Sequence, residues 1–253
     1  MPTLKKWLPN SITLLNLYFG CLAISFLASH QFRYATYCVF AASLCDFLDG
    51  FLARLLKVNS ELGKQLDSLA DIVSFGVVPG LTLFFLVEKN SFCFKTTETD
   101  FEFYLVSSSC LLIPIFSALR LAKFNLDTRQ TTHFIGLPTP ANTLFITCLP
   151  LIFEKQAPFR SFLEDYFLHP LSIITLTLLS SFLLVSPLPF YAIKFNSFKN
   201  FSLRENLPTF ILITISLLCI LTLSFLAAIP IFFFYIILSL IVLRKKSPRI
   251  IKN

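Results

Sequence analysis

The chain has 253 residues, a mean hydropathy of +0.75 and charged side chains at only 14% of its positions. Soluble globular domains carry about 25% charged residues, so this composition argues against a soluble enzyme and predicts an integral membrane protein. The formal net charge is +7, but the basic residues stand between apolar runs. They therefore favour a role in membrane orientation over nucleic-acid binding.

A membrane-spanning helix needs roughly 20 mostly apolar residues. Eight candidate spans follow one another, at 11–28, 33–56, 63–88, 102–124, 137–153, 168–186, 208–226 and 229–243. We expect an all-α fold: a polytopic bundle of about eight transmembrane helices in a single integral membrane domain over 1–253. Its catalytic core would cover about 8–186 and a C-terminal helix hairpin about 208–243.

The N-terminal segment resembles a signal peptide, because Lys5 and Lys6 precede an apolar run. No convincing small-x-small cleavage site follows and Asn16 interrupts the run, so we expect a retained first helix. Basic residues then concentrate in the N-terminal segment, the even-numbered connections and the tail "LRKKSPRIIKN". The positive-inside rule therefore predicts that both termini face the cytoplasm.

Four aspartates interrupt the second and third spans, in the stretch "CDFLDGFLARLLKVNSELGKQLDSLADIVSFG". Asp46 and Asp49 are three residues apart, and Asp67 and Asp71 are four apart, so each pair lies on one helix face. The short connection between the spans predicts that the two helices pack antiparallel. Two carboxylates from each helix would then face one cavity on the cytoplasmic side of the membrane.

The electrostatic cost of this arrangement points to bound cations. An Asp at the centre of a spanning helix costs about 2.5–3.5 kcal/mol, so four cost roughly 10 kcal/mol before their mutual repulsion. A single neighbouring arginine, Arg54, does not compensate four carboxylates. An all-oxygen ligand set without His or Cys suits two hard divalent cations, Mg²⁺ or Mn²⁺, and such a pair favours displacement at phosphorus. A salt-bridged cluster or a proton relay is the alternative.

Four of the six glycines, at positions 50, 63, 76 and 80, fall near the aspartates. Because Gly within a helix costs about 1 kcal/mol relative to Ala, each needs a reason. Gly50 and Ala53 would clear space for a phosphorylated ligand. For Gly76 and Gly80 we favour close helix packing instead. Arg54 either binds the ligand or extends toward the membrane surface.

Taken together, these residues form the pattern D-x2-D-G-x2-A-R-x8-G-x3-D-x3-D. The pattern resembles, at every fixed position, the signature of the CDP-alcohol phosphatidyltransferase family. Its fixed positions are Asp46, Asp49, Gly50, Ala53, Arg54, Gly63, Asp67 and Asp71. The flanking segments "LPNSITLLNLYFGCLAI", "ALRLAKFN" and "FIGLPTPAN" are similar to the bacterial membrane-type phosphatidylserine synthase branch. The resemblance covers about residues 8 to 145.

The resemblance implies a reaction between CDP-diacylglycerol and L-serine that gives phosphatidylserine and CMP, at the cytoplasmic face of a bacterial cytoplasmic membrane. It implies metal binding by Asp46, Asp49, Asp67 and Asp71, with Asp71 also accepting the serine hydroxyl proton. It further implies a nucleotide site formed by Asp46, Gly50, Ala53, Arg54 and Gly63.

Arg120 and Lys123 are candidates for binding the substrate phosphate or the serine carboxylate, because they lie three apart near the same depth as the aspartates. An ordinary positive-inside flank is the alternative. Another acceptor, glycerol 3-phosphate or inositol, would keep the same chemistry, and an ion or proton transporter is a third reading. The last two spans are candidates for the contacts of a homodimer.

Overall fold

The structure is a computed structural model that describes residues 2–58, 60–90, 100–126, 133–154, 166–191 and 227–246, with isolated positions 212, 214, 216 and 219. The helices are α1 (Pro2–Ala28), α2 (Phe32–Leu55), α3 (Glu61–Asp71), α4 (Val78–Lys89), α5 (Asp100–Ser109), α6 (Leu112–Leu126), α7 (Thr139–Glu154), α8 (Pro170–Val185) and α9 (Ala228–Lys246). A π-helical turn (Ile72–Val77) joins α3 to α4, and two short strands, β1 (His133–Ile135) and β2 (Pro189–Tyr191), pair with each other.

The predicted all-helical architecture is confirmed, with the β1–β2 pair as a small addition. Within the described residues, three helical segments are long and apolar enough to cross a membrane: Trp7–Ala28, Glu61–Lys89 and Phe101–Leu126, the last of which runs through α5 and α6. The predicted span 208–226 lies almost wholly outside the described residues. The count of eight spans and the cytoplasmic position of both termini therefore stay predictions.

The outer surface of the bundle is rich in apolar side chains, as expected of an integral membrane protein. Phe47 and Phe51 of α2 stack on each other and are 52% and 42% exposed, and Phe182 of α8 is 62% exposed. Aromatic and aliphatic surface of this kind is costly in water, whereas lipid chains cover it without loss. This exposed surface agrees with the composition.

Apolar core and polar site occupy opposite halves of the bundle. The main buried cluster joins the C-terminal half of α1 to the N-terminal half of α2 and to α4, through residues such as Ala23, Leu27, Val39 and Val87. The aspartates belong to the other half of α2 and to α3. Because the fully buried apolar contacts hold the three helices together at one end, the opposite ends can carry charge around an open space.

Hydroxyl groups connect the helices at the π-helical turn. The Ser74 hydroxyl donates to the backbone carbonyl of Asn16 in α1 (3.0 Å), and the Thr143 hydroxyl of α7 donates to the carbonyl of Phe75 (2.8 Å). Both acceptors are buried backbone groups, which must find partners inside the protein. The turn begins directly after Asp71, so these contacts fix the position of that aspartate. The sequence patterns did not predict the turn.

The paired strands connect the α6–α7 region to the end of α8. Gly136, which follows β1, has φ of +82°, and a Cβ there would collide with the carbonyl oxygen of Leu184. Its amide donates to the carbonyl of Leu188 (2.9 Å), and the amide of Leu137 donates to that of Leu183 (2.9 Å). Glycine is therefore required at this position both by conformation and by close approach.

Close packing explains Gly76 and Gly80, as expected. A Cβ on Gly80 would lie 2.7 Å from Cδ of Pro114 and 3.0 Å from the carbonyl oxygen of Cys110. A Cβ on Gly76 would lie 2.8 Å from Cδ1 of Ile72 and 3.1 Å from Cβ of Ser117. Helix α4 therefore approaches the α5–α6 segment at a distance that only glycine permits.

Gly80→Ala should destabilise the protein by about 1–3 kcal/mol, because the new methyl group overpacks a site bounded by backbone. The matched control is Gly50→Ala, where the nearest protein atoms to the new Cβ are the Arg54 guanidinium nitrogens at 3.8 and 4.0 Å. Thermal unfolding in detergent micelles should show a lower midpoint for the first variant only. Equal midpoints for the two variants would contradict this account of the packing.

Candidate active site

Three of the four aspartates converge as the sequence predicted. Asp46 and Asp49 of α2 and Asp67 of α3 each offer a carboxylate oxygen, and these oxygens all lie within 4.8 Å of one another. Asp49 is 5% exposed, and the other two are partly buried. Asp71 lies one helical turn beyond Asp67, on the same face of α3. We refer to Asp46, Asp49, Asp67 and Asp71 as the aspartate cluster.

Helix α1 supplies hydrogen-bond donors to this cluster. The Thr13 hydroxyl donates to Oδ2 of Asp49 (2.6 Å), and the Asn16 amide nitrogen donates to Oδ1 of Asp71 (3.2 Å). Thr13 and Asn16 are buried, and their spacing of three residues places them on one face of the helix. The sequence does not show which carboxylate each of these side chains contacts.

One expectation about the helices needs correction. The short connection between α2 and α3 predicted that these helices pack directly against each other. Both pack mainly against α1, and contacts between α2 and α3 themselves are sparse. The physical reason lies in the side chains, since carboxylates on facing surfaces repel each other and α1 offers hydroxyl and amide donors instead. The result is an open space between α2 and α3.

This space is a cavity of about 510 Å³, which lies within the range of typical small-molecule sites. It is lined by α2, by α3 and by the polar face of α1, and the lining includes Asn10, Thr13, Asp49, Gly50, Ala53, Glu61, Gly63, Lys64 and Asp67. Three of the residues expected to bind a nucleotide, Gly50, Ala53 and Gly63, thus line one cavity. Asp46 is not among the lining residues, although it belongs to the adjoining cluster.

The two glycines that line this cavity differ in how closely other side chains approach them. A Cβ on Gly63 would lie 2.9 Å from both Oδ1 of Asn10 and Oγ of Ser60, so these two side chains would have to move to admit a larger residue. A Cβ on Gly50 would meet only the guanidinium of Arg54, whose side chain is exposed. Since no other described residue crowds Gly50, the space above it is available to a ligand.

Helix α6 closes one side of the site. The amide nitrogen of Asn125 donates to Oγ of Ser68 in α3 (2.7 Å), and Lys64 Nζ donates to the carbonyl of Asn125 (3.3 Å). These contacts fix the end of α6 against the helix that carries Asp67. The sequence motif "ALRLAKFN" marked this segment, but not the role of Asn125.

Arg120 and Lys123, expected to act together, differ in their environment. Arg120 is only 7% exposed, whereas Lys123 is exposed. One guanidinium nitrogen of Arg120 (Nη1) donates to the hydroxyl of Thr139 (3.1 Å), and the guanidinium lies 5.8 Å from the ring centre of Phe124. Its Nε is buried, with no hydrogen-bond partner among the described residues. A buried donor without a partner is costly, so this nitrogen is suited to a ligand.

The four aspartates of the cluster differ in what lies next to them. Arg120 interacts electrostatically with Asp71 and Asp46, whereas Asp49 and Asp67 line the cavity. The cavity and the buried cation therefore neighbour different members of the cluster. A reaction that joins two substrates needs such a division, because each substrate requires its own binding region on either side of the reacting atoms.

The carboxylate oxygens of Asp46, Asp49 and Asp67 fit a divalent cation. They are close enough to share one ion, and an all-oxygen donor set is the one that Mg²⁺ and Mn²⁺ prefer. No His or Cys belongs to this group, which argues against zinc. Asp71, held by Asn16, lies next to these three residues in the helix that carries Asp67.

The fold and site define a class of membrane enzyme, and the comparison with known sequences agrees with it. The profile of the CDP-alcohol phosphatidyltransferase family matches residues 6–187. This range includes the whole aspartate cluster, Arg120 and Thr139. The chain belongs to the CDP-alcohol phosphatidyltransferase family.

Among its relatives are proteins named CDP-diacylglycerol–serine O-phosphatidyltransferase. The Helicobacter pylori protein (strain ATCC 700392 / 26695) is 32% identical over 211 residues, which cover 83% of this chain and 79% of the relative. The Mycobacterium leprae protein is 35% identical over 146 residues, covering 55% and 45%. The Bacillus subtilis protein is 33% identical over 136 residues, covering 53% and 70%.

Proposed function

We propose that this protein transfers the phosphatidyl group of CDP-diacylglycerol to L-serine, giving phosphatidylserine and CMP in phospholipid biosynthesis. The observation that carries the proposal is the cluster of Asp46, Asp49 and Asp67 beside a 510 Å³ cavity, in a chain that carries the complete family signature. The names of its relatives favour serine as the acceptor.

The aspartate cluster is proposed to hold two divalent cations, Mg²⁺ or Mn²⁺. Asp46, Asp49 and Asp67 would share the first ion, and Asp71 would complete the site for the second. A bound divalent cation would neutralise the clustered carboxylates and the negative charge that develops on the departing CMP phosphate. Thr13, through its hydrogen bond to Asp49, holds one carboxylate in place before the ion arrives.

The cavity between α2 and α3 is proposed to receive the cytidine diphosphate group. Its volume suits a nucleotide, and the backbone at Gly50 is open to a ligand on the side that faces the cavity. Arg54, whose guanidinium lies beside Gly50, is available to a phosphate. The acyl chains of the lipid substrate would remain in the bilayer against the apolar surface of the bundle.

Asp71 is proposed to act as the general base. The Asn16 amide donates to Oδ1 of Asp71, which fixes the carboxylate and leaves its second oxygen for the serine hydroxyl proton. As that proton moves to Asp71, the serine oxygen forms a bond to the phosphorus that carries diacylglycerol. The bond between this phosphorus and the CMP oxygen breaks, so CMP leaves with the bonding electrons.

Arg120 is proposed to bind the serine carboxylate. Its buried Nε lacks a partner among the described residues, and Arg120 is not among the residues that line the cavity. A guanidinium binds a carboxylate through two parallel hydrogen bonds, which would orient the serine hydroxyl. The exposed Lys123 would attract the anionic lipid head group at the rim of the site.

The remaining alternatives differ in what they require of the site. Glycerol 3-phosphate would bring a second phosphate and would need more buried cations than Arg120 supplies, and inositol offers no charge for Arg120 to bind. A transporter has no support from the family assignment. We also propose that the site faces the cytoplasm in a bacterial cytoplasmic membrane, in line with the positive-inside pattern. The homodimer stays a prediction.

The proposed reaction is tested by an acceptor panel. Purified protein in detergent–lipid micelles with CDP-diacylglycerol and Mn²⁺ should release CMP when L-serine is added, and the lipid product should contain serine. Parallel reactions with glycerol 3-phosphate and inositol should give only the background rate. CMP release with glycerol 3-phosphate or inositol but not with serine would contradict the choice of acceptor while keeping the family chemistry.

The proposed metal site predicts that Asp67→Asn weakens Mn²⁺ binding by at least about tenfold, because the amide keeps the shape of the side chain but lacks its charge. The matched control is Glu61→Gln, which removes a carboxylate from the same cavity lining but outside the group of three. Electron paramagnetic resonance of free Mn²⁺ measures both affinities. An equal loss in the two variants would indicate only a general effect of charge.

The proposed base predicts that Asp71→Asn lowers kcat by at least about 100-fold, while binding of CDP-diacylglycerol changes little. An asparagine cannot accept the hydroxyl proton, although it can still contact Asn16. Glu88→Gln makes the same chemical change further along this continuous helix, at an exposed position away from the cluster, and should leave kcat unaltered. Turnover of Asp71→Asn near the unmodified rate would exclude its role as base.

A further inference from the structure

Helix α7 carries three buried threonines on one face, and the first of them contacts the candidate site. Thr139, Thr143 and Thr147 follow one another at intervals of four residues, which places their side chains on the same side of the helix. All three are at most 1% exposed. Threonine is a poor helix former, and a buried hydroxyl is costly without a partner. Each of the three therefore needs a hydrogen-bond partner inside the bundle.

The hydroxyl group of Thr143 holds the first turn of α7 in place. It donates to the backbone carbonyl of Thr139 (2.9 Å) and to that of Phe75 in the π-helical turn (2.8 Å). In addition, the amide of Leu137, two residues before Thr139, donates to the carbonyl of Leu183 in α8 (2.9 Å). The start of α7 is thus hydrogen-bonded to two separate parts of the bundle, so Thr139 has a defined position.

Thr139 contacts the Arg120 guanidinium at one of its two terminal nitrogens. Nη1 of Arg120 donates to the hydroxyl oxygen of Thr139 (3.1 Å). A guanidinium is planar and holds its five N–H donors in a fixed fork. It binds a carboxylate through two parallel hydrogen bonds, either from Nη1 and Nη2 or from Nε and Nη2. Nη1 is the nitrogen held by Thr139, whereas Nε is buried with no hydrogen-bond partner among the described residues.

We propose that Thr139 is a positioning residue that holds Nη1 of Arg120, so that Nε and Nη2 are presented to the carboxylate of the acceptor. A hydrogen bond at Nη1 fixes the plane of the guanidinium before the acceptor arrives, which lowers the entropy lost on binding. The threonine hydroxyl is neutral, so it holds the guanidinium without forming an ion pair that would compete with the acceptor. The inference rests on the proposed function of Arg120 as the residue that binds the serine carboxylate.

Steady-state kinetics of Thr139→Val tests the proposal. Valine keeps the branched shape of the side chain but has no oxygen to accept from Nη1. The KM for L-serine should rise about tenfold, because a hydrogen bond to a charged group is lost. The kcat and the KM for CDP-diacylglycerol should change by less than about twofold, because the substitution affects only the binding of the acceptor. The proposed nucleotide cavity is lined by α1, α2, α3 and the connection between α2 and α3.

The matched control is Thr147→Val, which makes the same chemical change two turns along the same face of α7. The Thr147 hydroxyl donates to the carbonyl of Thr143 (2.8 Å), and its loss should leave the serine KM unaltered. Thr139→Ser keeps the hydroxyl group and should hold the serine KM within about twofold of the unmodified value. An equal rise in both valine variants, no rise in Thr139→Val, or a full rise in Thr139→Ser would overturn the proposal. Should Thr139→Val fail to fold, Thr139→Ala removes the same oxygen, and the same comparisons apply.

Substitution of Arg120 separates this inference from the proposed function. Arg120→Lys should raise the serine KM by itself, because lysine lacks the planar fork. In that background, Thr139→Val should change the KM by less than about twofold, because the nitrogen that Thr139 holds is absent. An unchanged KM in Arg120→Lys would contradict the proposed role of Arg120, and this inference with it. If Arg120→Lys raises the KM but Thr139→Val acts with undiminished effect in the lysine background, only the positioning role is overturned.

Discussion

The repulsion between the clustered carboxylates is the constraint on which the rest of the structure depends. Oxygens of Asp46, Asp49 and Asp67 lie within 4.8 Å of one another. At an effective dielectric constant of 20, two unit charges at that distance repel by about 3.5 kcal/mol. Three such pairs consume a free energy comparable to the whole stability of a typical domain. A fold that holds these groups together needs strong packing elsewhere and a source of positive charge at the site.

The structure places the strong apolar packing and the polar groups that contact the carboxylates at different ends of the bundle. The apolar cluster around Ala23, Val39 and Val87 fixes α1, α2 and α4 at the end of the bundle away from the aspartates. At the other end, α1 lies between the acidic helices and offers Thr13 and Asn16 as donors. The cavity thus follows from the charges, because helices that carry facing carboxylates do not close against each other.

The sequence predicted the parts of the site that depend on helical periodicity and on the chemistry of residue types. The convergence of the aspartates required only the spacing of three and four residues and the preference of hard cations for oxygen. The packing of α1 against both α2 and α3 and the burial of Arg120 with exposure of Lys123 depend on tertiary contacts between distant segments. Periodicity within one helix carries no information about these. The strands beside Gly136 are three residues long, too short for a pattern to emerge.

The π-helical turn at Ile72–Val77 joins α3, which carries part of the polar site, to α4, which packs in the apolar core. It therefore affects the directions in which these two helices present their side chains. A π-helical turn accommodates one residue more than an α-helical turn, so it shifts the angular phase of everything that follows by about 100°. The direction of the acidic face of α3 is therefore independent of the direction of the apolar face of α4, although the two helices form one continuous helical segment. Removing a single residue between positions 72 and 77 would give a more regular helix, but it would turn the carboxylates away from α1 or the apolar face away from the core. Insertions and deletions in this short stretch are thus far less tolerable than substitutions that preserve its length.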